Sequence, residues 1–258
     1  MDNFKIIMLA VECNETNIVY HSLKRNFSID KVIIEQKIAK KTLIKNRIKK
    51  LGFAKVLGQL LFQIFTQKLL FMNSAARRNE IIVGNNLSAA PIPESEILQV
   101  ESVNNDTTVD IINKLQPSLI LVNGTRIISK KVLAGTQAKF INMHMGITPK
   151  YRGVHGAYWA LTKQDSQLCG VTVHYIDAGI DTGSVLKQAL IQPDAEKDNF
   201  TTYPYLQLAA GMPLLHESIH EIRNGISSVQ NSMTAESALW YHPTFYQYWM
   251  NRFVHQIK

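Results

Sequence analysis

"FKIIMLAVECNETNIVYHSLKRNFSIDKVIIEQ", residues 4–36, opens the chain and sets its fold class. "FKIIMLAV", apolar from Ile6 onward, reads as a buried strand. "ETNIVYHSLKRN" spaces its apolar residues for a helix, and "KVIIEQ" is a second short strand. Strand, helix and strand in so few residues make a βαβ unit, hence a parallel sheet. Outward from this unit the pattern continues. "ILQVESV" reads as a strand, "NNDTTVDIINKLQP" as a helix ending at Pro117, and "SLILVNG" as a strand ending at Gly124. "SKKVLAG" is a helical turn with Gly135 as its C-cap, "KFINMH" a strand, and "VHGAYWALTKQ" a helix. "CGVTVHYI" and "SVLKQALIQ" form a strand with a hairpin partner, and the stretch after Pro193 is mostly helical around an awkward Pro213.

At 258 residues the chain suits one large domain, or one domain with an appendage. Two cysteines, Cys13 and Cys169, are too few for a disulfide framework. The N-terminus lacks a secretory n-region, and its apolar run is too short to cross a membrane. These features make the expected location cytoplasmic. The net charge of +8 is unevenly placed. From Gln36 to Asn79 there are eleven Lys or Arg and no Asp or Glu, so the rest of the chain is slightly acidic. Leu43, Ile44, Ile48, Leu51, Val56, Leu60 and Phe62 suit amphipathic helices there, with Gly52 and Gly58 as soft points. The expected arrangement is a helix packed on the domain with a solvated lysine face. Contact with anionic phosphates or a membrane surface is the sharper alternative, which Arg77 and Arg78 would extend. No nucleic acid or membrane partner is assigned.

"FINMHMGITPKYRG", residues 140–153, ends a strand in Asn142 and His144. Side chains alternate along a strand, so these two project to one side. They stand where the strand gives way to a loop, the end at which open α/β sheets bind ligands. "GVTVHYIDAGIDTG", residues 170–183, brings His174 to another strand end and follows it with Asp177 and Asp181 in a glycine-bearing turn. An Asp beside a His orients the imidazole, and an Asn amide donates to a developing oxyanion. Asn142, His144 and Asp181 together suit acyl transfer to an amine. Each residue alone has a plainer reading, an ordinary hydrogen bond or a common turn; the ordered set on one sheet carries the enzymatic one. There is no Gly-x-Gly-x-x-Gly, Walker loop or Gly-x-Ser-x-Gly elbow. His144, His155, His174 and Asp181 match no standard metal-ligand spacing, so no metal is expected. The residues alone name neither the acyl donor nor the acceptor.

These segments resemble the folate-dependent formyltransferase family. "INMHMGITPKYRG" resembles its Asn-x-His segment and following loop, and His174 and Asp181 match the spacing of its second motif. "LILVNGTRIIS" is similar to its pterin-lining strand and loop. The resemblance covers residues 98 to 192 well. It implies Asn142, His144 and Asp181 as catalytic residues, and 10-formyltetrahydrofolate as co-substrate. It sets Arg126, Ile127, Ile128, Ala178 and Gly179 around the pterin, with His174 structural. It implies an α/β, Rossmann-like, mostly parallel sheet with flanking helices, plus a basic helical insertion and a helical, aromatic C-terminal part. The expected division is a catalytic domain over 1–192, with the insertion at 36–80, and a C-terminal extension over 193–258. The implied acceptor is a small-molecule amine. "AVECNETN" lacks the phosphate loop of glycinamide ribonucleotide enzymes, and the segment after Gln192 is too short and helical for the barrel of initiator-tRNA enzymes. A nucleotide-linked amino sugar is therefore the first expectation. Glycinamide ribonucleotide transfer, formyltetrahydrofolate hydrolysis and a non-catalytic basic binding module are the alternatives. The tail "WYHPTFYQYW" would supply core, base-stacking rings or a homodimer contact, with core preferred.

Overall fold

A computed structural model describes residues 4–226 and 229–258. Its strands are β1 (Ile6–Ala10), β2 (Ile29–Glu35), β3 (Ile97–Val100), β4 (Leu119–Asn123), β5 (Lys139–His144), β6 (Arg152–Gly153), β7 (Gly170–Tyr175), β8 (Val185–Leu190) and β9 (Leu239–Trp240). Its helices are α1 (Asn14–Lys24), α2 (Lys40–Leu51), α3 (Phe53–Leu61), α4 (Lys68–Asn73), α5 (Ala75–Gly84), α6 (Asp106–Leu115), α7 (Lys130–Ala134), α8 (Gly156–Thr162), α9 (Tyr203–Arg223) and α10 (Phe245–Val254). A π-wound turn, Phe62–Gln67, joins α3 to α4.

Seven strands form one sheet in the order β3-β2-β1-β4-β5-β7-β8. The first five in that order pair in parallel; β7 runs antiparallel to both β5 and β8. This is the Rossmann-like architecture expected. β1 and β4 are buried along their whole length, which is why they read as unbroken apolar runs. The chain leaves β1 for β2 on one side and returns to β4 on the other, opening a crevice at the carboxyl ends of the two strands.

The two sheet faces have separate cores. Ile141, Met143, Val171 and Val173 join one with Leu208, Met212 and Leu215 of α9. Phe140 joins the other with Ile112 of α6 and Val132 of α7. Asn142 and His144 continue the Phe140 side by strand alternation. α9 runs through Pro213, which is exposed and leaves the helix one backbone hydrogen bond short.

The insertion is helical and packs on the domain through Val56, Gln59, Phe62 and Thr66, with Lys45, Lys49, Lys55 and Lys68 exposed. Helix runs on to Gly84, and α2 has no fully buried residue, its Ile44, Ile48 and Leu51 being half-buried at helical spacing. Val56 and Phe62 are buried, but Leu43 is exposed. Gly52, at φ +83°, does break the helix; Gly58 instead lets α10 approach, since a Cβ there would stand 2.9 Å from Thr244 Cβ. Arg77 and Arg78 do not extend a basic surface. Arg77 pairs with buried Asp198 at 2.9 Å, and Arg78 is buried over the Phe71 ring.

Candidate active site

The register of β5 against β7 sets Asn142 opposite His174 and His144 opposite Thr172. Asp181 reaches the same place from the turn after β7. Its backbone is left-handed at φ +51°, and the turn is tied by Asp177, whose Oδ1 accepts from Gly179 N at 2.9 Å and Thr182 Oγ1 at 2.7 Å. Arg152 donates to the Ile180 carbonyl at 3.1 Å. A Cβ on Gly183 would stand 1.7 Å from the Tyr175 carbonyl, so the turn closes only over glycine.

Asp181 Oδ2 lies 3.4 Å from His144 Nδ1 and accepts from Gly153 N at 2.9 Å; Oδ1 lies 3.8 Å from His174 Nε2. His144 Nε2 is 2.7 Å from the Tyr151 carbonyl. A carbonyl only accepts, so Nε2 carries a proton, and Nδ1 is the ring nitrogen that faces Asp181. The same logic fixes His174: Nδ1 donates to the Tyr175 carbonyl at 2.7 Å, leaving Nε2 to accept from Asn142 Nδ2 at 3.4 Å. Burial, with the neighbouring His144 second, holds His174 below the usual imidazole range, so it stays neutral and remains an acceptor. One N–H of Asn142 is thereby oriented, and the second is free for a ligand.

These residues line a cavity of about 950 Å³. Arg126, Ile127, Ile128 and Gly179 line it too; Ala178 is exposed and does not. Arg126 is anchored by Glu35 at the end of β2, its Nε 2.6 Å from Oε2 and its backbone N donating to Oε1 at 2.7 Å.

Two further walls come from outside residues 98–192, from the basic segment and the aromatic tail. Arg47 and Lys50 of α2 line one side, with Lys50 5.4 Å from the centre of the Tyr241 ring. Trp240, Tyr241 and His242 of the tail line another. β9 pairs with β6, Trp240 Nε1 donates to the Lys150 carbonyl at 2.9 Å, and Gln59 Nε2 donates to the His242 carbonyl at 2.7 Å. The tail is therefore both wall and core: Tyr248 is fully buried and Tyr246 is exposed. His242 and His155 share a hydrogen bond at 2.9 Å. Burial and nearby Arg47 push His242 down to about 4, and burial with His242 holds His155 well below its usual range. Among the described residues, no three metal-capable side chains converge.

The family profile described as formyl transferase matches residues 64–209, more than half of the chain. The chain belongs to the formyl transferase family. Among curated formyl transferase relatives, a methionyl-tRNA formyltransferase from Thermodesulfovibrio yellowstonii is 33% identical over 150 residues, covering 55% of this chain and 48% of that one. One from Desulfotalea psychrophila is 32% identical over 130 residues, covering 50% and 40%. The chain spans about half the length of the curated relatives it matches, or less. Solved formyl transferase structures share the fold. A sugar N-formyltransferase from a Shewanella species superposes with a TM-score of 0.58 at 12% identity, over 92% of this chain and 76% of that one. A phosphoribosylglycinamide formyltransferase from Streptococcus pneumoniae gives 0.54 at 18% identity, over 85% and 99%.

Proposed function

We propose that this protein transfers a formyl group from 10-formyltetrahydrofolate to a primary amine, with Asn142, His144 and Asp181 as the catalytic residues. The carrying observation is the 3.4 Å approach of His144 Nδ1 to Asp181 Oδ2, beside an Asn142 N–H free for a ligand. The cavity, about 950 Å³, is at the top of the range for small-molecule sites, and exposed Ile127 offers an apolar surface to a flat ring.

Asn142 donates to the formyl oxygen as it gains charge. The amine nitrogen bonds to the formyl carbon, and the bond from that carbon to folate N10 breaks. The His144–Asp181 pair takes the proton leaving the amine and returns one to N10, giving a formamide and tetrahydrofolate. His144 accepts at Nδ1 because Tyr151 holds Nε2–H. Asp181 keeps its place through Gly153 N.

The acceptor we favour is a nucleotide-linked amino sugar. Arg47 and Lys50 give the cavity cations for phosphates, and Tyr241 gives an aromatic ring for a base.

The test is turnover of 10-formyltetrahydrofolate with nucleotide amino sugars, read as formylated product by mass spectrometry. His144→Ala and Asp181→Asn should each lower kcat/KM by about a hundred- to ten-thousand-fold. Full activity in either variant removes the site assignment. Formate released without acceptor would favour the hydrolase reading.

A further inference from the structure

Through the π-wound turn, residues 53–73 form one continuous rod about 30 Å long. Its inner face is held to the body: Val56, Gln59, Phe62 and Thr66 are buried. On the outer face Phe53, Leu57, Leu61, Phe65 and Leu69 recur every four residues, between 39% and 65% exposed. In a plain α-helix that spacing drifts by about 40° per step. The π turn bonds i to i+5 and takes more residues per turn, which winds the row back between Leu61 and Leu69. Single exposed apolar side chains are ordinary on a soluble protein; a row of them is an interaction surface. Beside the rod, Trp249 of α10 donates Nε1 to Thr66 Oγ1 at 3.2 Å, and the same helix exposes Tyr246 and Phe253 by 74% and 76%.

Charge identifies the occupant. Lys45, Lys49, Lys55 and Lys68 are exposed on this segment, and no acid occurs between Gln36 and Asn79. We propose that the rod and α10 dock on an anionic lipid surface, with the apolar row below the phosphates and the lysines among them. An apolar stripe with lysine flanks is the pattern of a helix lying in a bilayer interface. A second copy of the chain fits less well, because a two-fold contact would oppose two acid-free, lysine-rich segments. The rod lies on the membrane: its inner face is packed, and among the described residues no helix is long and apolar enough to cross one. Phe53, at one end of the row, is two residues from Leu51 in the cavity wall. This inference stands apart from the reaction above, since it invokes none of the catalytic residues.

The experiment is flotation of the full chain with vesicles of phosphatidylcholine alone, or with one third phosphatidylglycerol, at low and high salt. The chain should float with the anionic vesicles, at least about tenfold more than with the neutral ones, and high salt should weaken this. Phe65→Glu with Leu69→Glu should abolish flotation, and Lys45→Glu with Lys49→Glu should reduce it, all with unchanged thermal melting. No flotation on anionic vesicles, or equal flotation of the Phe65→Glu, Leu69→Glu variant, overturns the proposal. So does a solution dimer that binds no vesicles and that Phe65→Glu dissociates.

Discussion

A neutral His174 is what gives the Asn142 amide its direction. Its Nδ1–H is committed to the Tyr175 carbonyl, so Nε2 can only accept, and it accepts from Asn142. Replacing His174 with Phe removes that acceptor while filling much of the space. The hydrogen bond is worth about 1 kcal/mol, so kcat should fall about fivefold with KM little changed. His174→Gln restores an acceptor oxygen and should recover part of the loss. Equal kcat in the Phe and Gln variants would show that His174 only fills space. At this scale the sequence was informative, because strand alternation set Asn142 and His144 on one face and the turn brought in Asp181. It was silent on Tyr151 and His174 as the partners that set each ring's tautomer. Those bonds depend on the antiparallel register of β5 and β7 and on a backbone carbonyl, neither of which leaves a mark in residue type.

The insertion is attached through aromatic packing. Phe62 is fully buried, with its ring 4.9 Å from that of Phe200 and 5.0 Å from that of Tyr248. Phe62→Ala should cost about 3–5 kcal/mol, read as a lower urea midpoint. A loss under about 1 kcal/mol would mean that the rod is held elsewhere. The central strands β1 and β4 were legible because burial on both faces imposes apolar runs, and β7 by its alternation. The insertion's helices were legible as helices, but their packing was not. Leu43 and Val56 look alike in a periodic pattern, yet one is exposed and the other buried. β6 and β9 span two residues each, too short for any periodicity, so the tail's place on the site loop was hidden.

The whole molecule carries a buried cluster of neutral imidazoles, and this sets its acid response. His242 falls from 6.5 to about 4 through burial and Arg47, and burial also lowers its partner His155. A lowered folded value means that the unfolded chain binds protons first as acid is added. The contribution is therefore full above pH 6.5 and is lost as pH falls toward 4. From pH 7.5 to 5, His242 alone should cost about 2 kcal/mol, measured by urea unfolding at each pH. His242→Asn should flatten that slope; an unchanged slope would remove His242 as its source. The position of this cluster also bears on how the protein is made. A chain emerging from the ribosome completes its seven-stranded sheet at Leu190, but the last cavity wall arrives only with Trp240, Tyr241 and His242. For some fifty residues of synthesis the nascent chain has Asn142, His144 and Asp181 in hand and no last wall to the cavity around them. A stop before Tyr203 would remove α9 and bare one face of the sheet, whereas a stop between Arg223 and Leu239 would keep that core and lose only the Trp240, Tyr241 and His242 wall.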